Sequence, residues 1–375
     1  MKKLILLFVL LPALCYGVPV IDAPVIGSIV DGESITITGS GFGIKNPVAP
    51  KRWADFNGGT VGELLDEDGW YITYSANTYC WPEYSVNETR DGTPVGQFCG
   101  ERSLDGYDFQ TMRTDGAIIT DQKCFVKGKI WFDWGTNYPP PPGEISKVKL
   151  MYWYPSTGNY SDDPEVQLVA EFDGNTGSGN NRWARYEVLD CGFSGERTQY
   201  TATFNNHQWN DFQFVFDKGS LDTPDAYLLT TINYNDFFQS GDTYPINGSH
   251  MECSGGLTLN RFMIGAYLSN VPAGHTVKLY YDDVYVDDTW ARVEMGDNIS
   301  YTSCNNREIQ IPRDTWTDGQ LTFTVNVGTF TPGQHAYIFV IDADNNPPDE
   351  GVRVTVGSGQ EPTMSYPENL QVNVE

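Results

Sequence analysis

The sequence predicts an all-β protein built of β-sandwich modules, and three observations carry that prediction. Apolar and polar residues alternate with period two in runs along the chain; Gly, Asn, Asp and Pro separate the runs; helical periodicity is almost absent. Strict alternation rich in aromatic and β-branched residues marks half-buried strands, and many such strands at short spacing build sandwiches or barrels. With 14% aromatic residues the chain has material for a large core.

At the N-terminus Lys2 and Lys3 precede the apolar run Leu4–Leu14 and a small-residue exit at Cys15-Tyr16-Gly17. A basic start, a short apolar stretch and small residues at the exit describe a secretory signal over residues 1–17. The run is too short to span a bilayer, which takes about 20 residues. Cys15 also offers a lipid-attachment position, although the large Leu14 before it argues against one. The expected location is therefore extracellular or at the cell surface, with no membrane span. Removing residues 1–17 leaves 21 basic against 49 acidic residues, a formal charge of −28. Phosphate neutralisation needs clustered Lys and Arg, so nucleic-acid binding is excluded as an expectation; such acidity favours solubility and cation binding.

Six cysteines remain after cleavage, Cys80, Cys99, Cys124, Cys191, Cys253 and Cys304, and an even number in an exported chain makes them disulfide candidates. Sequence does not fix the pairing; Cys80 with Cys99, across a Gly- and Pro-containing loop, is the favoured local pair. No Cys/His spacing suggests zinc.

Strands are expected where alternation is strict, as in Ser34–Thr38, Lys147–Leu150, Asp211–Phe216 and Leu321–Val327. Composition breaks at Asn46-Pro47-Val48-Ala49-Pro50 and at Gly357-Ser358-Gly359. Beyond the second break, residues 358–375 form a flexible tail whose 370–374 stretch suits one strand, a segment through which copies could assemble by strand donation. The proline run within residues 138–143 reads as a stiff connector.

Ala23-Pro24-Val25-Ile26-Gly27-Ser28-Ile29 followed by Ile35-Thr36-Ile37-Thr38-Gly39-Ser40-Gly41-Phe42-Gly43 resembles the opening of an IPT/TIG domain, which has an immunoglobulin-like fold. Two strands cannot stand alone, and the segments from Arg307 to Val356 look like the remainder. Because joining them completes a sheet that neither piece could close alone, a discontinuous domain over residues 19–50 and 296–357 with residues 51–295 inserted is preferred to two separate small domains flanking a large one. In that insert, His207–Phe214, Phe262–Tyr267 and Tyr280–Val286 resemble strands of concanavalin-like (LamG-type) jelly rolls. That resemblance implies a carbohydrate-facing fold.

Alternation assigns Ile130, Phe132 and Trp134 to the core and Lys127, Lys129, Trp131 and Asp133 to the opposite face. It points Val148, Leu150, Tyr152 and Tyr154 inward and Met151 and Trp153 outward; Phe212, Phe214 and Phe216 face away from Asp211 and Gln213. Trp131, Trp153, Arg185, Glu187 and Gln213 are thus the expected sugar groove, because rings stack on apolar sugar faces while charged and amide groups satisfy hydroxyls. Glycoside hydrolysis needs two flanking carboxylates, and the E-x-D-x-E strand of retaining jelly-roll hydrolases is absent. Arg185 with Glu187 resembles the R-x-E strand of jelly-roll lyases, whose Q-I-H motif is missing. The expected function is glycan binding or adhesion without catalysis, with a polysaccharide or surface glycan as partner; a polysaccharide lyase and a structural appendage subunit are the alternatives. Among the acids Asp282, Asp283, Asp287 and Asp288, alternation puts Asp283 and Asp287 on one face, the candidate ligands of a structural calcium.

Overall fold

The computed structural model describes residues 18–22, 29–74, 81–101, 109–114, 117–118, 122–133, 145–155, 165–173, 182–189, 197–203, 205, 207–221, 223, 225–236, 246–249, 252–253, 257–269 and 276–357. The secretory signal, Trp134, Cys80, Cys191, the proline-rich connector and the C-terminal tail lie outside them. Within them the fold is all β. In chain order the strands are β1 (Val20–Ile21), β2 (Ser34–Ser40), β3 (Arg52–Ala54), β4 (Trp70–Tyr74), β5 (Glu83–Ser85), β6 (Val95–Glu101), β7 (Phe109–Thr114) and β8 (Lys123–Asp133). There follow β9 (Ile145–Pro155), β10 (Glu165–Asp173), β11 (Arg182–Leu189), β12 (Arg197–Thr203), β13 (Trp209–Asp217), β14 (Ala226–Ile232), β15 (Asn235–Asp236), β16 (Ile246–Ser249) and β17 (Glu252–Cys253). The last are β18 (Leu257–Ser269), β19 (Thr276–Asp287), β20 (Arg292–Gly296), β21 (Arg307–Thr317), β22 (Gln320–Thr324), β23 (His335–Ile341) and β24 (Val352–Thr355).

Two large antiparallel sheets form a jelly-roll-type sandwich. One runs β12-β11-β10-β9-β18-β7-β4, with β17 beside β18; the other runs β15-β14-β13-β8-β19-β6-β5, with β16 and β3 attached. Phe212, Phe214 and Phe216 from β13, with Ile130 and Phe132 from β8, pack into one core with Met112, Val148, Phe262 and Ile264 of the facing sheet. These are the apolar positions of the alternating runs, so burying one side of each strand suffices to stack the sheets.

A third sheet runs β1-β2-β22-β21-β20-β23-β24. Its first two strands come from residues 20–40 and the rest from beyond residue 291, so neither end of the chain could close this sheet alone. The long β21 pairs with β20 through Arg307–Gln310 and with β22 through Ile311–Thr317, which bends the sheet over a separate core of Ile35, Ile37, Val293, Leu321, Phe323, Ile338 and Val340. β20 starts at Arg292, inside the span expected for the large sandwich.

The smaller sandwich covers part of the outer face of the nine-stranded sheet. Ile309 packs there against Phe125, Val215 and Tyr285, and the Trp290 indole N–H donates to the Cys124 and Phe216 carbonyls at 3.0 and 3.1 Å. Between them lies a buried ionic network of five cations (Arg90, Lys127, Lys129, Arg292, Arg307) and five carboxylates (Asp211, Asp282, Asp283, Glu294, Glu308). Glu294 receives Arg292 at 2.6 Å, Lys127 at 3.2 Å and Arg307 at 3.5 Å. Burial favours its neutral form, but those three cations outweigh burial and hold the carboxyl well below the usual carboxylate range.

The acid cluster corrects the expected metal ligands. Asp283 is the extra residue of a bulge between Asp282 and Tyr285, with φ +52°, so alternation fails across it. Asp283 pairs with Arg90 at 2.5 Å, Asp287 with Lys45 at 2.9 Å and Asp288 with Lys51 at 2.7 Å. Ammonium and guanidinium groups take the places a cation would fill, and the described residues hold no group of three or more potential metal ligands. The cysteine framework is corrected too. Cys99 is disulfide-bonded, but Cys124 and Cys304 are buried free thiols, and the side chain of Cys253 is not described. Among the described residues no helix is long and apolar enough to cross a membrane.

Candidate functional site

The candidate ligand face is the outer side of the eight-stranded sheet, and two bulges decide which side chains it shows. On β9, Met151 stands opposite Leu168 but Lys149 opposite Val169, leaving Leu150 as an extra residue. On β18 the register against β9 slips between Ile264 and Tyr267. A one-residue slip sends every later side chain to the other face. Leu150, Met151 and Trp153 therefore all enter the core between the sheets, while Tyr152 and Tyr154 lie outside that cluster, yet are themselves buried, at 8% and 4% exposed. Tyr281, from the facing sheet, brings its hydroxyl 2.7 Å from the Leu150 carbonyl and 3.0 Å from that of Gly265, the two places where the ladder is interrupted. Gly265 itself has φ +146°, and a Cβ there would lie 2.1 Å from the Gln110 carbonyl oxygen, so no other residue fits.

With those bulges in place, one rung crosses the sheet without a break: Tyr71, Arg113, Met263, Tyr152, Gln167, Glu187 and Thr198 stand opposite one another from β4 to β12. Six inter-strand steps of about 4.8 Å make it roughly 29 Å long. The neighbouring rung holds Lys149, Val169, Arg185 and Tyr200. Arg261 stands opposite Tyr154, two residues along β18 from Met263, and is thus a diagonal neighbour of Arg113, a relationship of roughly 7–8 Å in such ladders.

The Arg113 guanidinium lies 4.8 Å from the Tyr71 ring, which is 53% exposed. Arg261 keeps its Nε buried with no hydrogen-bond partner. Neither arginine meets a carboxylate among the described residues, in a chain with 49 acids and 23 basic residues. Lys149 Nζ lies 4.9 Å from the Tyr152 ring. The exposed Tyr71 ring and the half-buried Met263, next to the two guanidinium groups, suit a ligand with apolar ring faces and acidic or hydroxyl substituents.

The five expected groove residues do not converge. Arg185 and Glu187 occupy this sheet, on adjacent rungs. Trp153 is 1% exposed and packs in the core with its ring 4.8 Å from that of Phe262; the β9 bulge put it there. Trp131 lies on the other sheet, edge-on to Trp209 at 6.1 Å. Gln213, also on that sheet, is 4% exposed because the smaller sandwich covers it. The residues missed, Tyr71, Arg113, Tyr152, Arg261 and Met263, had no usable alternation signal: Met112 is the one apolar residue of Gln110–Thr114, and Phe262, Met263 and Ile264 are apolar in succession.

No family model matches the chain, and no curated protein matches it. Among solved structures it is similar to an endo-β-1,4-glucuronan lyase from the fungus Trichoderma reesei, with TM-score 0.42 and 10% identity over 64% of this chain and 97% of that one. An alginate lyase from Chlorella virus gives TM-score 0.40 and 10% identity over 61% and 99%. A glycoside hydrolase family 16 endo-glucanase from Bacteroides ovatus gives 0.37 and 14% over 63% and 99%. At these values the likenesses assign neither an activity nor a residue to this chain.

Proposed function

We propose that this protein binds an acidic polysaccharide along the outer face of its eight-stranded sheet, without catalysis, as a secreted or cell-surface glycan-binding protein. The observation that supports this reading is the pair of guanidinium groups, Arg113 and Arg261, that meet no carboxylate among the described residues and are set as diagonal neighbours beside the Tyr71–Met263–Tyr152 rung. A planar guanidinium donates two parallel hydrogen bonds to a carboxylate, and the rung length suits several sugar units. The smaller sandwich, read as an IPT/TIG-like domain, then serves as a spacer or mount.

Affinity electrophoresis of the full chain through gels containing acidic or neutral polysaccharides tests this. Retardation by acidic polymers alone, lost in Arg113→Ala, is the expected result; unchanged mobility in every gel overturns it.

One observation favours a second reading, a polysaccharide lyase. Tyr152 and Lys149 sit together on the same face, and β-elimination needs a base to take the proton next to a carboxylate whose charge is neutralised. The glycosidic C–O bond then breaks, its electron pair leaving with the oxygen, which takes a proton from solvent, and a C=C bond forms in the new end unit. A cleared zone in the gel, with ultraviolet absorbance from an unsaturated uronate that disappears in Tyr152→Phe, would establish the enzyme.

A further inference from the structure

A second site lies away from this face, in the seam between the two sandwiches. A cavity of about 240 Å3 opens there between β13–β14 and the smaller sandwich. Thr302, Asn345 and Pro347 stand around it with exposed or half-exposed side chains and form its mouth. Its inner wall carries polar groups that nothing among the described residues satisfies. Gln213 is 4% exposed and Thr231 5%, yet Gln213 Oε1 and Thr231 Oγ1 have no hydrogen-bond partner. Arg307 is held flat between two rings, 4.1 Å from Tyr301 and 4.7 Å from Tyr234. Its Nε leans toward Glu294 at 3.5 Å, and its two terminal nitrogens have no acceptor among the described residues.

Buried polar groups in native proteins are nearly always paired, and leaving one unpaired costs free energy. This wall offers unpaired donors and unpaired acceptors within one small space. Among the described residues Arg307 also shares its one carboxylate, Glu294, with Lys127 and Arg292, and Arg292 is the nearest at 2.6 Å. An anionic group placed against Arg307 would give its terminal nitrogens an acceptor, and hydroxyl groups on the same molecule would satisfy Gln213 and Thr231. We propose that this cavity is a binding site for a small hydroxylated carboxylate, monosaccharide-sized or smaller, with its carboxylate on Arg307 and a hydroxyl donating to Gln213. The ligand touches both sandwiches, so its binding ties them together.

The test is thermal unfolding of the full chain with glucuronate, compared with glucose, which lacks the carboxylate, and acetate, which lacks hydroxyls. Glucuronate should raise the melting temperature by roughly 2 °C or more, with little effect from the other two. The shift should vanish in Gln213→Leu, which keeps the volume and removes the acceptor, and persist in Arg113→Ala on the sheet face. Glucuronate should also slow alkylation of Cys304, a free thiol that lines the cavity. A shift lost in Arg113→Ala but kept in Gln213→Leu would place the ligand on the sheet face and overturn the proposal. Equal shifts with glucose would mean that the carboxylate on Arg307 contributes nothing, and no shift with no protection of Cys304 would mean that the cavity holds water only; either result would overturn the proposal.

Discussion

The Tyr281 hydroxyl lies 2.7 Å from the Leu150 carbonyl across the core of the large sandwich, joining one sheet to the bulge that shapes the outer face of the other. The same oxygen is 3.0 Å from the Gly265 carbonyl. Tyr281 is fully buried, and burial holds its phenol protonated far beyond the ordinary tyrosine range, so it remains a donor at any pH the fold survives. Tyr281→Phe removes that donor and strands a buried carbonyl. The expected cost is about 1–3 kcal/mol, read as a lower urea midpoint at unchanged slope, together with weaker glycan retention because Tyr152 and Met263 depend on the bulges.

This relationship also marks where the sequence was legible and where it was not. Alternation identified Ile130, Phe132, Phe212, Phe214 and Phe216 as core because β8 and β13 pair without a slip through those residues. It failed on β9, where Leu150 and Met151 both turn inward, because a bulge is set by a tertiary donor more than a hundred residues away. Gln213 and Asp211 were placed on the correct side of β13, but no local pattern reveals that a second sandwich covers them. The acids of β19 looked like metal ligands for the same reason: their partners Arg90, Lys45 and Lys51 come from distant loops.

Glu294 anchors that covering contact. Replacing it with Ala leaves Lys127, Arg292 and Arg307 buried around a missing charge. Removing one partner of a buried ion pair costs about 3–5 kcal/mol, so Glu294→Ala should unfold at a markedly lower denaturant concentration. The cations hold the Glu294 and Glu308 carboxyls below their ordinary value of 4.5. A depressed acid contributes stability that is fully present above its unfolded pKa and lost as pH falls through the folded one. The wild type should therefore lose stability on acidification below about pH 4.5, and Glu294→Gln should show a shallower loss when melting temperature is followed against pH.

Glu67 works in the opposite direction. Burial raises its carboxyl to about 7 from 4.5, partly opposed by the Tyr84 hydroxyl, 3.1 Å away. Between those values the folded chain holds a proton that the unfolded chain has released, so stability declines as pH rises through the window. Glu67→Gln cannot titrate. The variant should gain on the wild type as pH climbs from 4.5 to 7 and keep a constant advantage above it, a difference that paired melting curves would show.

The last prediction separates a carboxylate clamp from two independent charges. A charge-assisted hydrogen bond contributes about 1.5–3 kcal/mol, so Arg113→Ala and Arg261→Ala should each weaken binding of an acidic polysaccharide roughly 10- to 100-fold. Added salt should weaken the wild type more than either variant, since each variant has lost part of the screened attraction. If both guanidinium groups grip one carboxylate, removing either already breaks the grip, and the double variant should lose less than the sum of the single losses. Additive losses would place the two arginines on different sugar units along the rung. Titrating all four proteins against the same polymer gives that coupling directly, and neutral polymers should show no difference among them.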